Sequence, residues 1–398
     1  MEIISAYAAI VAVAFALLST LAISSQLPPP SSHGRFLTID GLRGYLAFFV
    51  FLHHSCIWYY YLQTGAWVAP PLRLFVHFGQ VGVSLFFMIT GFLFFSKIMD
   101  DRGRGVDWLR LYVSRFLRLT PLYFFSMILL FSIVGWVTKE NQTDSFSELI
   151  GACLKWLGFT IYFGVPDING FPGTYVVNAG VTWTLPYEWT FYMALPLIAL
   201  AIGVWPPVKY LLLSVLSMYA FGYLYLAGSF YWLFLGGMVA AILVRFESFR
   251  AVAVSRWATL IVLVLAVYVV TMYPSVYDYV QAKFLLVIVF CFIAGGNSIF
   301  GVLNSKVSRV MGEMAYSIYL LHGLVLFVAF RLVIGASLGK ALSPSQYWGV
   351  IVTLTPVLIL ICGLTFRFIE RPAMKMTGPL TDWIRAKKTN VIAGLRVR

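Results

Sequence analysis

Long apolar runs recur from one end of the chain to the other, separated by polar or Gly- and Pro-containing connections. They approach the roughly 20 residues that a helix needs to cross a hydrocarbon core of about 30 Å. The pattern predicts spans at 3–25, 40–62, 74–96, 117–137, 183–203, 209–227, 229–244, 257–273, 283–300, 314–335 and 347–367. In hydrocarbon the backbone must satisfy its own polar groups, so these eleven runs are expected as transmembrane helices and the chain as an all-α polytopic membrane protein. Most connections are short, but 97–116 and 138–182 are not. The second contains LIGACLKWLGFTIYFG at 149–164, too short to span comfortably, followed by the loop VPDINGFPGTYVVNAG. A re-entrant or interfacial segment is expected there, a lid over an outward-facing cleft.

Composition agrees with that reading. Of 398 residues, 61% are hydrophobic and 11% charged, against about 25% charged in an ordinary soluble domain, which excludes a water-soluble globule. Cys56, Cys153, Cys291 and Cys362 fall in different segments without paired spacing, so neither a disulfide framework nor a cysteine metal site is indicated. Charge predicts orientation. With the loop carrying Lys97, Arg102, Arg104, Arg110 and Arg115 in the cytoplasm, alternation leaves outside only Arg73, Lys139, Lys155, Lys283, Arg331 and Lys340 of the 28 Lys and Arg. This asymmetry follows the positive-inside rule and sets the N-terminus outside and the C-terminus in the cytoplasm. The net charge of +13 is then almost wholly cytoplasmic and spread among loops flanking spans, which favours the lipid bilayer over nucleic acid as a partner.

The first span has Glu2 and no Lys or Arg ahead of its apolar run, so a cleaved secretory signal is not expected. It reads as an accessory helix. Residues 1–35 hold that helix and the link SSQLPPPSSHGR, 36–374 the main membrane domain, and 375–398 a basic cytoplasmic tail.

Ionisable groups within spans are costly, which makes each one a candidate for function. In FLTIDGLRGYLAFFVFLHH, Asp40 and Arg43 lie at the cytoplasmic edge and His53 and His54 about three turns deeper. Helical phase puts His54 ~20° from Arg43 and ~16 Å further along, with Asp40 ~60° away on one flank and His53 ~80° away on the other. Asp40, Arg43 and His54 thus share one face, whereas His53 reads as a packing residue. A neutral imidazole shielded from bulk water suits a general base for an alcohol. GxSxG, Walker A and HExxH signatures are absent from the sequence.

Arg115 and Arg118, three residues apart in VSRFLRLTPLYFF, share a face, and guanidinium forks suit phosphates as well as they suit anchoring at a membrane edge. Glu188, in VTWTLPYEWTFYMALP, is expected near the opposite surface, binding a sugar, orienting a base or sitting at the interface. His322, in MAYSIYLLHGLVLF, suits a bond to a second helix or a place in the same cavity. Glu370 and Arg371, in RFIERPAMK, suit an ion pair capping the last span.

Taken together these residues resemble the membrane-bound acyltransferase 3 family. The resemblance is carried, in order, by IDGLRGYLAFFVFLHH with Arg43-x10-His54, GVSLFFMITGFLFF, Arg115-x-x-Arg118-x-x-Pro121, WTLPYEWTFY, SIYLLHG and FRFIERP, over about 36 to 374. Thr90 and Thr184 replace serines usual in that pattern and keep a hydroxyl. The resemblance implies a ten-helix core, so that span 3–25 is an addition, and O-acylation of a glycan or lipid-linked sugar with acyl, chiefly acetyl, groups from acetyl-CoA. It also implies a catalytic pair of Arg43 and His54 with Asp40 alongside, donor binding by Arg115 and Arg118, and supporting roles for Glu188, His322 and Glu370. Acyl-CoA is then a substrate, with no permanently bound cofactor or metal. The resemblance further implies a bacterial inner membrane setting, with transfer completed in the membrane domain or by a separate periplasmic partner. A secondary transporter, or a non-catalytic subunit of a polysaccharide export assembly, would share the many spans and few buried ions.

Overall fold

The computed structural model describes residues 2–27, 36–140, 142–161, 164–222 and 228–396. Helices follow one another as α1 (Glu2–Ile23), α2 (Leu37–Thr64), α3 (Arg73–Asp100), α4 (Trp108–Val137), α5 (Phe146–Leu157), α6 (Leu185–Ala201), α7 (Val208–Gly222), α8 (Tyr231–Leu243) and α9 (Glu247–Ala253). They continue as α10 (Arg256–Met272), α11 (Val280–Ala294), α12 (Lys306–Glu313), α13 (Ala315–Phe327), α14 (Ala336–Ala341), α15 (Pro344–Thr365), α16 (Arg371–Lys375) and α17 (Thr377–Arg396). Each of the predicted apolar runs coincides with a helix.

Among the described residues, five helices are long and apolar enough to cross a bilayer: Ser5–Ile23, Arg73–Asp100, Trp108–Val137, Ala315–Val333 and Pro344–Lys388. The pair α8 and α9, bent by 109°, makes a sixth if counted as one broken span. Helix α2 has the length, 28 residues, but Asp40, Arg43, His53 and His54 dilute its apolar character. Helices α7, α10 and α11 are apolar but shorter. The lengths and compositions are those of a multi-pass membrane protein.

Two boundaries differ from expectation. Helix α4 begins nine residues before the predicted span, because Asp107 caps it by accepting a hydrogen bond from the Arg110 N–H at 3.1 Å, and the helix carries Arg115 and Arg118 outward from the apolar run. The tail expected at 375–398 is largely helical: α17 lies against α4 through an Arg385–Asp107 ion pair at 2.7 Å.

In the long outer connection, a capping box between Ser145 and Glu148 starts α5, whose residues Phe146, Ile150 and Leu154 are exposed. Residues 162 and 163 of the predicted 149–164 segment lie outside the described residues. The stretch after α5 enters the bundle: Val177, Asn178, Val181 and Thr182 are buried in or beside two single-turn 3₁₀ helices, Thr174–Asn178 and Val181–Thr184. The backbone of Asn178 packs directly on Gly323 of α13, where a Cβ would come within 2.2 Å of a carbonyl carbon.

Two adjoining cores organise the bundle, one around α1, α2, α4, α13 and α15, the other around α3, α6, α8 and α11. Helices α3 and α8 touch backbone to backbone. A Cβ on Gly91 would lie 2.2 Å from Phe234 O, and one on Gly237 2.0 Å from Met88 O, so only glycine allows the approach.

Candidate active site

A cavity of about 520 Å³ opens between α2, α3, α4, α6 and α13. Its polar lining includes Asp40, Arg43, Thr90, Lys97, Arg115, Arg118, Thr184, Glu188 and Tyr319, set among Phe86, Phe87, Leu93 and Phe94. Five of the eight sequence-predicted site residues therefore meet on one wall. At one end Lys97 pairs with Asp101 at 3.3 Å and Arg245 pairs with Asp100. A second cavity of about 330 Å³ shares Phe94, Lys97, Arg115 and Met374 with the first and adds Asp107, Arg110 and Ser114.

Inside, Arg115 lies over the Phe94 ring, 4.9 Å from its centroid, and Arg43, Arg115 and Arg118 all act electrostatically on Glu188. The Tyr192 hydroxyl donates to Glu188 Oε2 at 2.8 Å, which fixes the carboxylate toward the arginines. Glu188 thus shares the arginines' cavity; sequence reasoning had set it near the opposite surface, because distance along the helix says nothing of how deep a cavity runs.

Glu370 is fully buried and pairs with Arg118 at 3.9 Å, while the Ser317 hydroxyl donates to its other oxygen. Thr365 continues the chain by donating to Ser317 Oγ at 3.1 Å. The expected Glu370–Arg371 cap is replaced by this contact, since a π-helical turn, Phe366–Glu370, rotates the carboxylate inward.

The histidines separate as helical phase predicts. His53 turns to α3, where its Nδ1 meets Phe75 O at 2.8 Å above Gly79. His54 turns to α13, where its Nδ1 meets His322 Nε2 at 2.9 Å. The half-buried Trp67 stacks beside His54, centroids 6.2 Å apart. Neither His54 nor His322 lines the cavity with Arg43. Tyr319, one turn before His322, stands between the two groups: it lines the cavity, its centroid lies 6.3 Å from that of His322, and its hydroxyl bonds Val181 O and Thr184 Oγ1 at 3.0 and 3.1 Å.

Sequence reasoning passed over Tyr319, Tyr192, Ser317 and Trp67. The i, i+3 relation of Tyr319 to His322 within SIYLLHG, and the i, i+4 relation of Tyr192 to Glu188, were the available signals. Among the described residues, no group of three or more His, Cys, Asp or Glu is placed to hold a metal ion.

A family model described as an acyltransferase domain matches residues 36–367. Nodulation protein 10 of Rhizobium leguminosarum bv. viciae is 29% identical over 178 residues, which is 42% of this chain and 45% of that protein, so the match spans less than half of the relative's length. No solved structure matches the chain. With the family match running from the residue before α2 into the π-helical turn after α15, through all of the cavity lining but Met374, the chain belongs to the acyltransferase 3 family and is an acyltransferase.

Proposed function

We propose that the enzyme is an O-acyltransferase of a bacterial inner membrane that moves an acetyl group from cytosolic acetyl-CoA to a hydroxyl of a glycan or lipid-linked sugar. The chain crosses the membrane eleven times in this reading, with its N-terminus outside. The observation that carries it is the cavity: three arginines converge in one recess that ends at Tyr319, beside the His322–His54 pair.

The donor enters past Lys97 and Arg110, its phosphates meet Arg115 and Arg118, and its pantetheine arm follows the apolar wall of Phe86 and Leu93 toward Tyr319. Guanidinium groups suit phosphate oxygens, and the apolar wall suits an acylated chain. The acceptor approaches His54 from the Trp67 side, where an aromatic face suits a sugar ring. His54 removes the hydroxyl proton as the oxygen attacks the thioester carbonyl. The C–O ester bond forms, the C–S bond breaks, and CoA leaves as a thiolate that takes up a proton to give the free thiol. Asp40 and Arg43 line the donor cavity, so their part is in holding the donor.

The test uses membranes from the native host lacking its own copy, with wild type or His54→Ala added back and acetyl-labelled acetyl-CoA supplied. Label in alkali-labile glycan together with CoA release, both lost in His54→Ala, is the expected result. Accumulation of a solute without CoA release would overturn the reading in favour of transport.

A further inference from the structure

His322 has 0% of its surface exposed, while His54 is half-buried and can be reached. The two rings define each other's protonation. His322 Nδ1 lies 3.0 Å from Ile318 O, and a carbonyl oxygen only accepts, so this nitrogen carries hydrogen. In the neutral ring Nε2 is then a bare acceptor, and the atom facing it at 2.9 Å, His54 Nδ1, must donate. Val50 O, 3.1 Å from the same His54 nitrogen, requires the same arrangement. His54 is therefore the Nδ1–H tautomer, with its free lone pair on Nε2.

We propose that His322 is a positioning residue for the acyl transfer: it fixes the His54 ring so that Nε2 takes the acceptor's proton, and it gives the Nδ1–H an acceptor that strengthens as imidazolium forms. The inference rests on His54 being the base in the reaction proposed above. Val50 O alone would select the tautomer. It lies on the same helix as His54, however, and an i−4 carbonyl holds the ring from below only. His322 reaches it from a separate helix and stops the ring turning about its outer bond. A hydrogen bond to an ion is roughly twice as strong as one between neutral groups, so this contact acts more in the transition state than in the resting enzyme. When His54 Nε2 takes the hydroxyl proton, the Nδ1–H remains shared with His322 Nε2. On release of CoA the ring gives one proton up, to the thiolate or to water, and the starting tautomer returns.

The test compares His322→Leu, which keeps volume without an acceptor, with His322→Gln, whose Oε1 reaches the place of Nε2. Both are assayed in the native membranes described above with labelled acetyl-CoA, at matched amounts of folded protein and with His54→Ala in parallel. His322→Leu is expected to lower kcat by about 10²-fold with the KM for acetyl-CoA within twofold, a magnitude in the range of general-base catalysis. His322→Gln is expected to recover at least tenfold of that loss. Wild-type kcat in His322→Leu, or equal loss in both variants with a raised KM, would overturn the positioning role while leaving the proposed function standing if His54→Ala is inactive. Full transfer by His54→Ala would overturn the proposed function and this inference with it. If His322→Leu does not accumulate as folded protein, His322→Gln decides alone: kcat within tenfold of wild type supports the role, and a greater loss overturns it.

Discussion

Glu370 and Arg118 meet inside the protein from opposite ends of the chain, Oε2 to Nη1 at 3.9 Å, with the carboxylate wholly buried. Arg118 Nη2 and Glu370 Oε2 have no other hydrogen-bond partner among the described residues. The pair anchors a cavity arginine to the turn after α15. Removing one partner of a buried pair leaves the other charge uncompensated, at a cost of about 3–5 kcal/mol.

Glu370→Ala is therefore expected to lower the thermal midpoint of the detergent-purified protein by several degrees and to raise the KM for acetyl-CoA as Arg118 loses its anchor. Arg118→Met combined with Glu370→Leu is expected to be less destabilised than the two single changes summed. A thermal-shift double-mutant cycle measures this, and strict additivity would show the pair to be uncoupled.

His53 and His54 are expected to differ sharply. His53 packs over Gly79, where a Cβ would sit 2.6 Å from the imidazole. His53→Ala should leave kcat within about fivefold of wild type, while His54→Ala loses at least 10²-fold, the scale of a general base. Gly79→Ala should push His53 off Phe75 O and lower stability, without the kcat loss of His54→Ala. Steady-state CoA release and thermal midpoints on the three variants separate these outcomes.

Charge at the cavity mouth should act on the nucleotide end of the donor. Arg110→Glu is expected to raise the KM for acetyl-CoA several-fold, increasingly at low ionic strength, and to leave acetyl-pantetheine turnover unchanged. Equal effects on both donors would remove Arg110 from nucleotide recognition.

The α17 contact should respond to acid. Partial burial works against the Asp107 carboxylate, but the Arg385 guanidinium and the Arg110 N–H outweigh it and hold Asp107 below its ordinary value. A carboxyl with a lowered folded-state pKa contributes stability above the unfolded value, about 3.9, and loses it as pH falls through the folded value. Hydrogen exchange in 377–388 should be flat from pH 8 to pH 5 after correction for intrinsic rates, and should rise on further acidification. Arg385→Ala should raise it at every pH.

Much of this was written in the sequence. Eleven apolar runs mark helices because a helix crossing hydrocarbon needs length and little else, and helical phase separates His54 from His53 on elementary geometry. What the sequence concealed depends on local capping and on contact between distant segments. The charges around Arg110 read as loop, yet Asp107 starts a helix there. Glu370 next to Arg371 reads as a terminal ion pair, yet a π-helical turn hands it to Arg118. Glu188 reads as lying away from the arginines because a run of residues gives no cavity depth.

The glycine contacts between α3 and α8 have a mechanical consequence. Two helices touching through backbone at Gly91 and Gly237 cannot slide or part without losing the whole contact, so the α3 side of the cavity is a fixed wall. The α4 side differs: its one glycine, Gly135, faces open space, and α17 is tied to it by an ion pair whose partners are 51% and 38% exposed. Any widening that admits a bulky molecule therefore falls to α4 and α17, a hinged door set against a rigid frame.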